Sequence, residues 1–357
     1  GRTQRYLTSE AVDYVVNTGD PMRIRMRTAS LGVIDAAMRA SDRTRIQYAS
    51  KQSSIANSWK KWIGEVRGLK ELDAVNVKRK QEAEFQAKAQ GHARYGTVLA
   101  TLRQLNAEDA EVARARDNFL EFYTGGFEID RLRKAARGFY KNYDATVDRN
   151  VLKALFPLYR ENLGTYPGPL SFRAIAAKHK GNGNAWADAL FTTSVFADSV
   201  KLFAFLDKAN VKAAAKLAND PALVLARELV TDYQQRIYPR SVGLRDAIDE
   251  AMRVYVAGQA ELFPERITWP DANSTLRLSY GKVEGSKPRD GVQYEPFTTL
   301  AGVLAKDRPD DPDFAVPAKL KEVVARGDFA PYGSGTDLPV CFTSSLHTTG
   351  GNSGSPV

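Results

Sequence analysis

The stretch His347-Thr348-Thr349-Gly350-Gly351-Asn352-Ser353-Gly354-Ser355-Pro356-Val357 decides how the rest of the chain is read. Ser353 follows Gly351 by two residues and directly precedes Gly354. Glycine adopts sharp backbone turns without steric cost and lets main-chain N–H groups come close to a ligand. A serine in such a turn combines a presented hydroxyl with backbone donors aimed at charge developing on a carbonyl oxygen. Ser353 is therefore the candidate nucleophile, and the N–H groups of Gly351 and Ser353 are the candidate oxyanion hole. Ser355 is the competing hydroxyl within the motif.

Upstream of this loop, residues 266–357 carry the marks of a β-domain. Ser274 to Tyr280 alternates polar and apolar side chains, the period of a half-buried strand. Gly281 and Gly285 bracket Lys282-Val283-Glu284, and Pro288-Arg289-Asp290-Gly291 is a turn signal. Residues 306–317 form a charged, proline-rich connection, and Pro317 to Arg326 reads as a short helix. Val340 to Thr343 reads as the strand that leads into the serine loop, with Cys341 as a small buried strand residue.

Residues 9–265 read differently, as helix after helix rich in Ala, Arg, Lys, Glu and Leu. Leu31, Ile34, Met38 and Ile46 keep helical spacing. A long helix is expected from Asp42 to Gly64, with Ala49, Ile55, Ala56, Trp59 and Ile63 inward and a break at Gly68. Further helices are expected at 71–93, 107–123, 130–140, 144–160, 185–208, 212–218, 221–238 and 244–262. Asp220 before Pro221 suits a helix start, with the aspartate as cap and the proline in the first turn. Residues 162–170 and 178–184 are glycine- and proline-marked loops. Residues 1–8 look like the end of a strand and a turn. The fold class expected is α+β multidomain.

With 357 residues the chain has room for two cores. Lys and Arg exceed Asp and Glu by 51 to 42, a net charge of +9. The charges are interleaved along helices; Lys78-Arg79-Lys80 is followed at once by Glu82 and Glu84. That is the pattern of solvated helix faces and gives no footprint for nucleic acid. No apolar run approaches the ~20 residues of a membrane span. One cysteine allows no disulfide within these residues, and no histidines stand at zinc-ligand spacing, so neither metal nor cofactor is expected.

Taken together, the segment from Trp269 to Gly285, Pro288-Arg289-Asp290-Gly291, Pro296 to Leu300 and the terminal Thr348 to Pro356 resemble the bacterial dipeptidyl-peptidase 7 and 11 family, serine peptidase family 46. Residues 1–6, Ile46 to Asn57 and Trp59 to Gly64 are similar to it too, in the right order. The resemblance implies a chymotrypsin-like double β-barrel interrupted by a mostly α-helical domain. It divides the chain into the end of the first barrel (1–8), the helical cap domain (9–265) and the first part of the second barrel (266–357). It implies an internal fragment of a longer serine dipeptidyl aminopeptidase, one that releases dipeptides from the free N-terminus of oligopeptides. Homodimeric assembly and a periplasmic or cell-surface location in a Gram-negative bacterium are implied with it.

The same resemblance places the catalytic histidine and aspartate upstream of Gly1, so these residues alone are expected to be inactive. It leaves His347 as a loop residue, while His92 and His179 read as solvent-facing. It puts the position that sets hydrophobic or acidic preference beyond Val357. An exopeptidase that counts two residues must hold the substrate's α-ammonium with a hydrogen-bond acceptor, as an asparagine carbonyl can. Asn57 matches the asparagine that the family's helical domain uses for this. Trp59 and Trp62 read as core packing. The competing class is a helical peptide-binding module without catalysis, in which the serine loop is incidental.

Overall fold

The computed structural model describes residues 6–124, 137–164, 166, 168–170, 172, 175, 178–208, 210–266, 280–311, 314–333 and 338–346. The chain forms two compact units, Tyr6–Ile267 and Gly1–Arg5 with Thr268–Val357.

The larger unit is helical. Helix α1 (Ser9–Tyr14) starts at Thr8, whose backbone is extended and whose side-chain oxygen accepts the Ala11 amide. A π-turn (Val15–Gly19) joins it to α2 (Asp20–Ala40), and Ser41 caps α3 (Asp42–Glu71) through the Thr44 amide at 3.2 Å. A second π-turn (Tyr233–Ile237) sits before α12 (Tyr238–Leu262). In each case a proline follows, Pro21 or Pro239, at the second position of the new helix. Proline has no N–H and its ring presses on the carbonyl four residues back. The wider π-turn bonds five residues back (Asp20 N to Val15 O, Tyr238 N to Tyr233 O) and relieves both problems.

Several helix boundaries lie elsewhere than spacing predicts. Helix α3 runs straight through Gly64 and Gly68 to Glu71, and the break comes at Asp73, which sits at φ 47° before α4 (Ala74–Ala89). Helix α5 (Val98–Thr124) begins nine residues earlier than expected. The single helix expected at 185–208 is divided into α8 (Gly183–Thr193), a 3-10 turn (Val195–Ala197) and α9 (Ser199–Leu206). Ser194 and Asp198 cause the breaks by accepting the amides of Phe196 and Val200, a local alternative to the helical ladder. The other helices named among the described residues are short α6 (Arg137–Tyr140), α7 (Ala145–Asn162, capped by Asp144), α10 (Val211–Leu217) and α11 (Pro221–Asp232). Asp220 caps α11 through the Ala222 amide at 2.9 Å, as its sequence indicates.

Helix α5 links two cores. Its C-terminal half gives Phe119, Phe122 and Tyr123 to the main core, with Met26 and Ile34 of α2, Ile55 and Ala56 of α3, and Val151, Leu155 and Tyr159 of α7. Its N-terminal half packs Val98, Leu99 and Leu102 against Phe85 of α4 and Tyr255 of α12. On α3 the buried face is Thr44, Tyr48, Ile55 and Ala56; Ile46 (73% exposed), Ala49 and Ile63 turn outward, against expectation. Thr44, Tyr48 and Ile55 keep the 3.6-residue spacing on one face, whereas Ala49 and Ile63 lie off it, so the expected stripe mixed two neighbouring faces.

In the smaller unit, β1 (Ser286–Arg289) and β2 (Val292–Tyr294) form an antiparallel hairpin about Asp290-Gly291, with Gly291 at φ 71°. Strands β3 (Phe297–Thr299) and β4 (Pro339–Phe342) also pair antiparallel, Phe297 opposite Phe342. Between them lie α13 (Leu300–Leu304) and α14 (Ala318–Arg326). Cys341 lies on β4 as expected but is exposed, not buried. The strand expected at 274–280 lies outside the described residues except for Tyr280.

Candidate active site

Ser353, Gly351, Ser355 and His347 lie outside the described residues; the strand that runs towards them does not. Past β4, Val283 bridges Ser344, the Ser345 amide donates to the Lys282 carbonyl at 2.9 Å, and the Lys282 amide donates to Ser345 Oγ at 2.9 Å. On its other edge the Thr343 amide donates to Pro296 O at 2.8 Å. Residues 343–346 therefore run between segments 281–284 and 296. The glycines explain how close that packing is. A Cβ on Gly281 would lie 2.5 Å from the Leu346 amide nitrogen, and one on Gly285 would lie 2.0 Å from the Tyr294 carbonyl oxygen. Both positions require glycine: Gly281 packs directly on residues 345 and 346, and Gly285 lets the backbone pass the Tyr294 carbonyl.

Asn57 lies on α3 with its side chain exposed, and it makes no hydrogen bond among the described residues. The turn that carries it is held from below. Ile55 and Ala56 are buried in the main core. The Ile55 carbonyl accepts Arg27 Nη1 at 3.1 Å, and the Trp59 indole donates to Thr28 Oγ1 at 2.9 Å. Trp62 is not core but a half-buried ring over which the guanidinium groups of Arg27 and Arg23 sit, 4.5 and 5.4 Å from its centroid.

These arginines belong to a buried polar seam that spacing arguments missed. Arg27 grips Glu121 with two bonds, Nε–Oε2 at 2.7 Å and Nη2–Oε1 at 3.0 Å. Arg23 pairs with Asp20 at 2.7 Å and with Asp117 at 2.5 Å, and Asp117 also accepts Tyr14 Oη at 3.0 Å and Arg116 Nε at 3.2 Å. Burial, with the Asp117 charge beside it, pushes the Tyr14 phenol far above its usual range, so it stays a donor. Arg23 and Arg27 share one face of α2 at i,i+4, as Asp117 and Glu121 do on α5. Like charges at that spacing repel in an isolated helix. That doubled pattern was the available signal that the two helices pair with each other.

His92 is not free in solvent as expected. It stacks on Tyr95 with centroids 4.5 Å apart, and its Nδ1 accepts the Arg94 amide at 3.2 Å. His179 is half-buried at a helix end. Among the described residues no group of three His, Cys, Asp or Glu side chains is arranged to hold a metal ion, and no helix is long and apolar enough to cross a membrane.

The family model for peptidase S46 matches residues 1–129 and 127–357. The chain belongs to the peptidase S46 family. Among curated S46 relatives, it is 36% identical to the Asp/Glu-specific dipeptidyl-peptidase of Flavobacterium psychrophilum, over 100% of this chain and 53% of that protein. It is 34% identical to dipeptidyl-peptidase 7 of Phocaeicola vulgatus, again over 100% of this chain and 53% of the relative. The chain thus spans about half the length of the curated relatives it matches. Its structure is similar to Porphyromonas endodontalis DPP11 in complex with the dipeptide Arg-Glu, at TM-score 0.89 and 25% identity, over 100% of this chain and 55% of that one. The same protein in complex with Arg-Asp matches at TM-score 0.90 and 26% identity, covering 100% and 54%.

Proposed function

We propose that this chain is part of a serine dipeptidyl aminopeptidase that releases dipeptides from the free N-terminus of oligopeptides. Ser353 is the nucleophile, and the N–H groups of Gly351 and Ser353 stabilise the oxyanion. Asn57, through its amide oxygen, accepts from the substrate's α-ammonium. The observation that carries the reading is the match to peptidase S46 over the whole chain, with relatives named dipeptidyl-peptidases. The glycine-pinned strand that enters the serine loop supports it, because an oxyanion hole works only if its donors are held before the charge appears.

Acylation of Ser353 by the substrate carbonyl expels the shortened peptide, and water then releases the dipeptide. The general base for both steps is a histidine outside these residues, oriented by an aspartate, as the family resemblance implies. The smaller unit then supplies part of a chymotrypsin-like barrel and the larger one a helical cap, in a homodimer of the Gram-negative periplasm or cell surface.

The test is a fluorogenic dipeptidyl substrate with the full-length gene product that carries this sequence. Ser353→Ala is expected to lower kcat by roughly 10⁴-fold or more and to abolish labelling by a fluorophosphonate. The 357 residues alone are expected to show no serine-dependent turnover. Undiminished activity in Ser353→Ala overturns the assignment.

A further inference from the structure

We infer that Arg27 is a positioning residue for recognition of the substrate's amino end, acting through Asn57; this rests on the role proposed above for Asn57. The Asn57 side chain is exposed and makes no hydrogen bond among the described residues, so its placement depends on the turn of α3 from Ile55 to Trp59. Two consecutive residues of α2 hold that turn at its two ends. Arg27 Nη1 donates to the Ile55 carbonyl at 3.1 Å, and Thr28 Oγ1 accepts the Trp59 indole at 2.9 Å.

The first of these anchors is the stiff one. The guanidinium is planar, and its other edge is locked onto the Glu121 carboxylate by two bonds of 2.7 and 3.0 Å. Trp62, further along α3 than Asn57, closes one face of the same group at 4.5 Å. Arg27 and Glu121 are 15% and 8% exposed, so water does not compete strongly for these donors. One side chain of α2 thereby fixes the Ile55 carbonyl relative to α5, two residues from Asn57. Lysine carries the same charge but cannot hold a fork and a third bond in one plane. The arrangement gives Arg27 a reason to be arginine that charge balance alone does not.

The experiment compares kcat/KM for a dipeptidyl substrate with that for the same substrate lacking its α-amino group, in the full-length gene product. The ratio of the two reports amino-end recognition and is independent of the fraction of enzyme that is folded. Asn57→Ala is expected to lower the ratio. Arg27→Lys is expected to lower it by about tenfold, since a shift of a fraction of an ångström costs less than the ~10²-fold of a full ångström. Combined with Asn57→Ala it should lower it no further, because the two act in series. If Arg27→Lys does not fold, Trp62→Leu releases the guanidinium face without stranding a charge, and the same shift is expected, smaller in size. An unchanged ratio in Asn57→Ala overturns the role of Asn57 itself. A fall in Asn57→Ala with no fall in Arg27→Lys or Trp62→Leu, or with fully additive effects, overturns the inference and leaves Asn57 standing.

Discussion

A methyl group built on Gly19 would lie 2.7 Å from Cε1 of Tyr14, the residue whose hydroxyl donates to Asp117. The same methyl on Gly32, in the next helix, would meet nothing within 4 Å. Alanine gains about 1 kcal/mol over glycine in a helix, while overpacking costs about 1–3 kcal/mol. Gly19→Ala is therefore expected to destabilise by about 1 kcal/mol net, and Gly32→Ala to stabilise by up to about 1 kcal/mol. Denaturant melts of the two variants should shift in opposite directions; equal shifts refute the argument. Single residues were legible in the sequence where their chemistry is local. Asp220 caps α11 and Gly291 turns the hairpin because each acts on its own neighbours. Arg27 and Glu121 were not, since 94 residues separate them and only the doubled i,i+4 charge pattern hints at their pairing. Cys341 was misread because free cysteine is usually buried, whereas β4 is exposed along its whole length.

At the scale of elements, α4 holds the start of the helical unit through Glu82. Its buried carboxylate accepts the Ser9 amide at 2.6 Å and the Ser9 hydroxyl at 2.7 Å. Hydrogen bonds to a charged partner contribute about 1.5–3 kcal/mol. Glu82→Gln should cost about 2 kcal/mol, a Tm fall of roughly 4–8 °C for a unit of this size by calorimetry. No change in Tm would show the contact to be incidental.

A second element, the connection from β3 to α14, is clasped by Asp307. The Lys321 ammonium and the Val316 amide, at 2.9 Å, hold its carboxyl below the usual 3.8. A depressed carboxylate contributes stability that is present above the unfolded value and is lost as pH falls through the lower folded value. The Val316 amide resonance should titrate with a midpoint below 3.8, and the transition should vanish in Asp307→Asn. A midpoint at or above 3.8 counts against the clasp. The long helices were legible because apolar spacing and strong helix formers agree there. Their boundaries were not, because Gly64 and Gly68 lie inside a helix that tertiary packing supports, and because the π-turns absorb Pro21 and Pro239.

At the scale of the whole molecule, the change from helical to strand-forming sequence was visible near Phe263-Pro264, and the family was legible from ordered segments at both ends of the chain. Periodicity did not carry that, and neither would the serine loop alone; the ordered set of segments along the chain did. Helix α4 meets both ends of the helical unit. Besides Ser9 at Glu82, this helix takes the other end of the unit: Glu84 pairs with Arg266 at 2.8 Å, and Lys88 donates to the Leu262 carbonyl at 2.8 Å. Lys88 and Arg266 also cover the Phe263 ring at 4.0 and 3.9 Å. Six residues of helix, about 9 Å of rise, separate Glu82 from Lys88. The two ends of residues 6–266 are thus moored side by side, so the unit is portable. Joined by a short glycine-serine linker and reopened at the exposed Lys180-Gly181 turn, a circular permutant should fold and melt within a few degrees of the parent unit.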